Sequence, residues 1–406
     1  MSVAFIFPGQ GSQFPGMGLD WADPVDGSQD LYGWASACLG WDLVDTLRGA
    51  SSDELRQTYI AQPALFATSV AALRALERAG VRPDYVAGHS LGEFTALVAA
   101  GVVSFEAGLT LVGRRAEAMQ RAADAHPGSM SSVLGLSREG VEMAVDKAAQ
   151  GDVLAVANDN APGNVVVSGQ WPALERLPSA AKELGAKRVM PLNVGGAFHS
   201  PLMGPAVEEF RPHLAAAPLA DPSVPIVANA TADVVTSADQ LRDLLARQLT
   251  GAVRWVESVR RLADLGVDTF VEAGPGTVLS GLVRRSVDGV RILSAADLAG
   301  VEAVAEALRD TSEFAAAAPA EEQGEVIVLE ERFAVSPGHG RFYPAQPLRT
   351  AEQGAYVEPG DLLGEVRNGS SALPVRSNFR GWVKAHLAWE GELVTPGQLL
   401  LSLRPF

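Results

Sequence analysis

One cysteine, Cys38, occurs in 406 residues, so no intramolecular disulfide framework can hold this chain together. That poverty fits a reducing compartment, and a cytoplasmic location is expected. Cationic residues are also scarce: 32 Lys and Arg stand against 48 Asp and Glu, a net charge of −16. An acidic surface repels phosphate backbones, so nucleic acid is not expected as a partner. No apolar run approaches the roughly 20 residues that span a bilayer, and no membrane association is expected. Met1 to Trp21 opens with a short apolar strand and a Gly/Pro/Gln loop, unlike a secretory leader. Apolar residues, by contrast, are plentiful: 47% are hydrophobic and 20% charged, enough for a large core in two or three domains.

Strand-like and helix-like stretches alternate over the first three quarters. Val3 to Phe7 is an apolar run ended by Pro8-Gly9, and Gln62 to Ala79 has helical apolar spacing. Tyr85 to Ala87 reads as a strand, and Glu93 to Ala100 as a helix closed by Gly101. Such alternation predicts an α/β core around a mostly parallel sheet. From about 125 to 193 the order becomes β-α-β-β-α-β, as in a ferredoxin-like subdomain inserted into the larger one. The core then resumes and ends with a helix near Leu298 to Leu308, giving a first domain of residues 1–310. Residues 311–324 are Ala-, Glu- and Pro-biased without amphipathic period and read as a linker. Past it, 325–406 is all-β in character, with short strands and Pro-Gly turns. There, 354–363 (GAYVEPGDLL) returns as 391–400 (GELVTPGQLL), which suggests a small barrel of two related halves.

Gly88-His89-Ser90-Leu91-Gly92 stands directly between a strand and a helix. A nucleophile elbow needs this context: glycines permit the tight turn that projects the Ser hydroxyl, and the helix N-terminus favours developing negative charge. A plain loop serine is the competing reading. After the first strand, 7–13 (FPGQGSQ) offers glycines whose backbone N–H groups can face an oxyanion, or merely make a turn. The lysine of a P-loop is missing from it.

With 62–67 (QPALFA), 88–93 (GHSLGE), 111–120 (LVGRRAEAMQ), 157–169 (ANDNAPGNVVVSG), 196–203 (GAFHSPLM) and 272–279 (EAGPGTVL), these segments resemble a known family. It is that of malonyl-CoA:acyl carrier protein transacylases and the acyltransferase domains of polyketide synthases. The likeness runs in family order over about residues 1–290. It implies an α/β-hydrolase-like core with a ferredoxin-like insertion. It also implies Ser90 as nucleophile and His199 as general base, because an alcohol needs a base to attack a thioester. The family orients this His through a backbone carbonyl near Gln248, whose side chain is then incidental. The oxyanion hole would be the backbone N–H groups of Gln10 and Leu91. Gln62, Phe198 and Gln248 would line the substrate pocket, with a helix cap as the other reading of Gln62. His89 reads as structural.

By the same resemblance Arg115, 25 residues after Ser90, grips the free carboxylate of malonyl. A guanidinium forks two hydrogen bonds onto a carboxylate as Lys cannot. The neighbouring Arg114 reads as a surface helix residue. Phe198 before His199 accompanies malonyl among polyketide acyltransferases, although Gly196 stands where they carry a His. One excluded methyl is worth only about 1–3 kcal/mol. Asn160 on the insertion loop, with Lys187 and Arg188, would face the entrance for coenzyme A and the carrier arm. The expected partners are malonyl-CoA or a related acyl-CoA and an acyl carrier protein, with no metal and no cofactor.

The C-terminal repeat, with Gly381-Trp382-Val383, looks like the biotinyl/lipoyl barrel family. There the modified lysine sits on a hairpin between the halves, whereas the matching tip here is 368–372 (NGSSA). Lys384, the lysine of this region, falls on another element, so neither biotin nor lipoate is expected. Competing functions are an editing hydrolase acting on carrier-bound acyl groups, a malonate-decarboxylase-associated transacylase, and a non-catalytic docking protein.

Overall fold

A computed structural model describes residues 2–22, 29–316, 332–345, 356–369, 371–377, 381–386, 390–395 and 399–405. The chain divides into two compact units, Met1–Ala318 and Pro319–Phe406.

The first unit holds β1 (Val3–Phe7), β2 (Tyr85–Gly88), β3 (Ser129–Leu134), β4 (Leu154–Ala161) and β5 (Asn164–Gly169). It continues with β6 (Arg188–Pro191), β7 (Ile226–Val227), β8 (Val234–Val235), β9 (Thr269–Ala273) and β10 (Arg291–Ala295). Six of these form one sheet in the order β10-β9-β1-β2-β7-β8, parallel except for the β7–β8 pair. Strand β1 is buried at every residue, as a parallel strand covered on both faces must be. Val3, Phe5 and Phe7 pack into one apolar cluster with the helices Thr58–Arg78 and Phe105–Ala125. Ala4 and Ile6, on the opposite face, pack with Trp255, Val259, Phe270 and Val283.

The remaining four strands make the expected β-α-β-β-α-β insertion, an antiparallel sheet ordered β4-β5-β3-β6. Its helices, Arg138–Ala149 and Trp171–Glu183, close a separate small core around Val133, Val141, Val165 and Leu177. The helix read as beginning at Gln62 starts at Thr58 and carries Pro63 in its second turn. The last helix of the unit is Leu298–Ala316, so the first six residues of the expected linker, 311–316, are helical. Those six residues, TSEFAA, include two alanines and a glutamate, which favour helix, and no proline. The remainder of that linker lies outside the described residues.

The second unit holds β11 (Arg332–Val335), β12 (Gly340–Pro344), β13 (Tyr356–Val357) and β14 (Leu362–Asn368). It ends with β15 (Ser371–Arg376), β16 (Gly381–His386), β17 (Leu393–Val394) and β18 (Leu399–Pro405). Two antiparallel sheets result, ordered β11-β18-β16-β13 and β15-β14-β12-β17. The sequence repeat maps β13 onto β17 and the start of β14 onto that of β18, and the members of each pair hold matching places, last and second, in the two strand orders. Phe342, Leu363, Val366, Val383 and Leu400 fill the space between them.

Candidate active site

β2 ends at Gly88 and the next helix, Gly92–Ala99, begins four residues later, which leaves Ser90 on a sharp turn at φ 52°. A non-glycine residue held there costs on the order of 1–3 kcal/mol. Sterics make both glycines of the turn obligatory. A Cβ on Gly88 would come within 1.9 Å of the Gly92 carbonyl carbon, and one on Gly92 within 2.0 Å of the Phe7 oxygen. The strain is held from outside the turn by Asn229, which follows β7. Its Oδ1 accepts from the Ser90 N–H at 2.7 Å, and its Nδ2 donates to the Gly88 carbonyl at 2.6 Å.

His199 is the second residue at positive φ, 56°, and its Nε2 lies 2.7 Å from Ser90 Oγ. Its Nδ1 lies 2.8 Å from the main-chain oxygen of Gln248. A carbonyl only accepts, so Nδ1 carries the ring proton and Nε2 is left to accept the serine hydroxyl proton. Gln248 closes the helix Ala238–Gln248, where the last carbonyls have no partner within the helix. The free helix end thus does what an acidic third residue does elsewhere. Burial, reinforced by the nearby Arg115 charge, lowers the His199 pKa to about 3, so the imidazole is neutral near pH 7.

Arg115 comes from the middle of the helix Phe105–Ala125, one turn before Met119, and is 1% exposed. Its Nη2 donates to Ser90 Oγ at 3.0 Å and to Gln248 Oε1 at 2.9 Å, and its Nη1 to Gln62 Oε1 at 2.5 Å. Nε is buried and finds no acceptor among the described residues. Burial draws the Arg115 pKa down to about 10, which still leaves it charged. Arg114 points outward and pairs with Glu117 at 3.1 Å.

Ser90, His199 and Arg115 line one cavity of about 370 Å³, together with Gln10, Leu91, Asn160 and Phe198. Met119, Met130, Leu192 and Val278 give it apolar walls, and Arg56 is a second cation on its lining. No carboxylate lines it among the described residues. The backbone N–H groups of Gln10 and Leu91 find no acceptor among the described residues, as an oxyanion site requires. Phe198 packs against Gly196, where a Cβ would lie 2.6 Å from that of Ala123 and 3.2 Å from the Phe198 ring. A His could not occupy position 196 without displacing Phe198.

The structure departs from the sequence reading at three places. Gln62 is fully buried within a helix and does not line the cavity; its amide donates to Thr58 Oγ1 at 3.0 Å and its Oε1 holds Arg115 from behind. Thr58 in turn donates to Gln10 Oε1 at 3.0 Å, tying the guanidinium to the loop after β1. Gln248 is likewise fully buried and does not line the cavity, yet its side chain is not incidental, since it touches Arg115, Ser90 and Glu93. Lys187 and Arg188 are exposed at the edge strand β6 and do not line the cavity; residues 192–194, just beyond that strand, do. His89 is half-buried on the cavity wall, held at 2.8 Å by Asn160 Oδ1 and set edge-on against Trp255. Asn229 and Arg56 carried no sequence signal of their own, and Glu93 only its place in the segment 88–93. Their roles arise from segments far away in the chain.

Residues 4–324 match the acyl transferase domain family. Over 314 residues the chain is 40% identical to the malonyl CoA-acyl carrier protein transacylase of Bacillus subtilis, covering 77% of this chain and 99% of that protein. A crystal structure of an acyl carrier protein S-malonyltransferase from Vibrio cholerae superposes with TM-score 0.72 at 40% identity, over 75% of this chain and all of that one. A malonyl-transacylase in complex with a type II PKS acyl-carrier protein superposes with TM-score 0.73 at 38% identity, over 76% of this chain and all of that one. No helix among the described residues is long and apolar enough to cross a membrane.

Proposed function

The chain belongs to the acyl transferase domain family, and from that premise we propose that it moves a malonyl group from coenzyme A, through an ester on Ser90, to the thiol of an acyl carrier protein. The observation that carries this reading is the single oxygen Ser90 Oγ, within 3.0 Å of both a neutral imidazole and a buried guanidinium. As Oγ attacks the thioester carbonyl, its proton passes to His199 Nε2. The Gln10 and Leu91 N–H groups receive the developing oxyanion. Collapse expels the coenzyme A thiolate, which takes the proton from His199. The carrier thiol then gives its proton to the same nitrogen and attacks the ester, regenerating Ser90. Arg115 leaves Oγ for the malonyl carboxylate, and its unpartnered Nε adds a donor on that side. Phe198 limits room beside the α-carbon. The core is read as α/β-hydrolase-like and the insertion as ferredoxin-like, with Asn160 at the cavity mouth. Cysteine scarcity supports a cytoplasmic setting.

The competing reading, an editing hydrolase, makes water the acceptor. Malonyl-loaded protein should discharge onto a holo acyl carrier protein at least ~100-fold faster than into buffer, an effect within the range of a positioned general base serving a bound thiol. Chase of the loaded chain by mass spectrometry measures this. Equal discharge with and without carrier would favour the hydrolase.

The second unit is read as a biotinyl/lipoyl-like barrel that carries no biotin or lipoate and serves docking. Its repeat, with β13/β17 and β14/β18 at matching places in the two sheets, supports the barrel. Lys384 lies in β16, whereas the β14–β15 hairpin turns at Gly369 with φ 60°; Ser370 of that tip lies outside the described residues. The family match ends at residue 324, and the Bacillus relative is spent within 77% of this chain. A shortened chain, 1–318, should therefore fold and load malonyl within ~3-fold of the full chain, because autonomous cores tolerate loss of a neighbour. Insoluble 1–318, or one loading tenfold slower, would mean that the second unit completes the first.

A further inference from the structure

Glu93 lies one turn beyond the nucleophile, is 1% exposed and does not line the cavity. Its Oε1 accepts from the Asn229 N–H at 3.3 Å and its Oε2 from Gln248 Nε2 at 2.5 Å. Each neighbour holds the catalytic turn directly. Asn229 clamps the strained Ser90, while Gln248 Nε2 also donates to the Ser90 carbonyl at 3.0 Å. Gln248 is the residue on which the site converges: its side-chain oxygen takes Arg115 and its main-chain oxygen takes His199.

A carboxamide can face either way, and its direction here is set by its neighbours. With Nε2 toward Glu93 and the Ser90 carbonyl, Oε1 must face the guanidinium. Turned over, it would oppose donor to donor at Arg115 and acceptor to acceptor at Glu93. We propose that Glu93 is a positioning residue for acyl transfer: as a buried acceptor it locks the Gln248 carboxamide, and through it the aim of Arg115. This rests on the transacylase reading above.

A buried carboxyl with no direct ion pair is costly and needs a compensating use. The charge bearing on it is Arg115, on the far side of the Gln248 amide. Burial pushes the Glu93 carboxyl up to about 7, against the hydrogen bonds from Gln248 and Asn229 and the Arg115 charge, which lower it. Protonated or not, it keeps an acceptor for Gln248, so accepting rather than charge is what the role requires.

Glu93→Gln retains that acceptor and Glu93→Met removes it at similar length. The measurement is the ratio of Ser90 acylation rates with malonyl-CoA and acetyl-CoA, since only malonyl depends on where Arg115 points. Glu93→Gln should keep the wild-type ratio within ~3-fold. Glu93→Met should lower it about tenfold or more, the scale of one lost hydrogen bond to a charged group. An unchanged ratio in Glu93→Met, with only a lower Tm or a uniformly lower rate, would make Glu93 merely structural. Equal losses in both variants would make its charge the essential property. Both outcomes overturn the proposal. Should Glu93→Met not fold, the wild-type ratio between pH 6 and 8.5 decides: it should stay within ~3-fold, and a tenfold drift overturns the acceptor role. Absence of any wild-type acylation would instead fell the transacylase reading, and this proposal with it.

Discussion

Ser90→Ala mixed with malonyl-CoA should gain no mass, while the wild-type chain gains one malonyl group. The expectation follows from the geometry of a single oxygen. Ser90 Oγ is the hydroxyl placed 2.7 Å from the His199 ring and 3.0 Å from the Arg115 guanidinium, at the wall of the cavity. The alanine variant should fold, because the clamps from Asn229 and Gln248 grip the backbone of residue 90 and not its side chain. Stoichiometric labelling of the variant would sink the assignment of the nucleophile. His199→Ala should still load, but both half-reactions should slow by roughly 10²–10⁴-fold, the usual worth of a positioned general base. In stopped-flow acylation, a variant that slows only one half-reaction would show that a second group moves the other proton.

Arg115→Ala should separate malonyl from acetyl. In the free protein the guanidinium is satisfied by Gln62, Gln248 and Ser90, so its burial is already supported before any substrate arrives. When malonyl binds, the incoming carboxylate enters a cavity with no other carboxylate on its wall, and Arg115 is the cation beside the reacting oxygen. Removing the guanidinium leaves that carboxylate buried and unpaired, which costs about 2–5 kcal/mol. Malonyl transfer should therefore fall by roughly 30- to 4000-fold in kcat/KM. Acetyl carries no such group and should change by less than ~10-fold, in part because losing the cation makes His199 more basic. Equal losses for the two acyl groups in paired kinetics would show that Arg115 serves the serine and not the substrate. Arg115→Lys should recover little, since an ammonium cannot span Gln62, Gln248 and a carboxylate at once.

The turn that carries Ser90 could be read from residues 85–92 alone. Strand, Gly-x-Ser-x-Gly and helix are contiguous there, and the clashes that make Gly88 and Gly92 necessary arise within the same few residues and the adjoining strand. The β-α-β-β-α-β insertion was legible for a similar reason, because each strand and helix announces itself by period and by its turn residues. Gln62 and Gln248 were seen as members of the site but given the wrong task or too small a one. Sequence order says that an amide is near a cavity, not which way it faces, and both amides turn toward a guanidinium contributed by a different helix. Lys187 and Arg188 were placed at the entrance by family likeness; the pair is exposed beside the edge strand β6 and is not part of the cavity wall. Asn229 was missed entirely. It meets Ser90 across 139 residues of chain, and nothing local marks an asparagine as a clamp.

Local sterics and hydrophobic period were therefore enough to establish an α/β chain with a serine on a tight strand-to-helix turn, an inserted second sheet and, among the described residues, strands in the second unit. Family likeness then attached His199 and Arg115 to that serine. Family likeness also supplied the backbone carbonyl that orients the His, whereas packing alone decided that Glu93 and Gln248 stand behind the guanidinium and that the basic pair is not part of the cavity wall. The division has a physical origin. A turn or an amphipathic helix is governed by neighbours within a few residues, whereas a buried polar network exists only once distant segments have excluded water and each donor must find its acceptor among whatever the fold brings near.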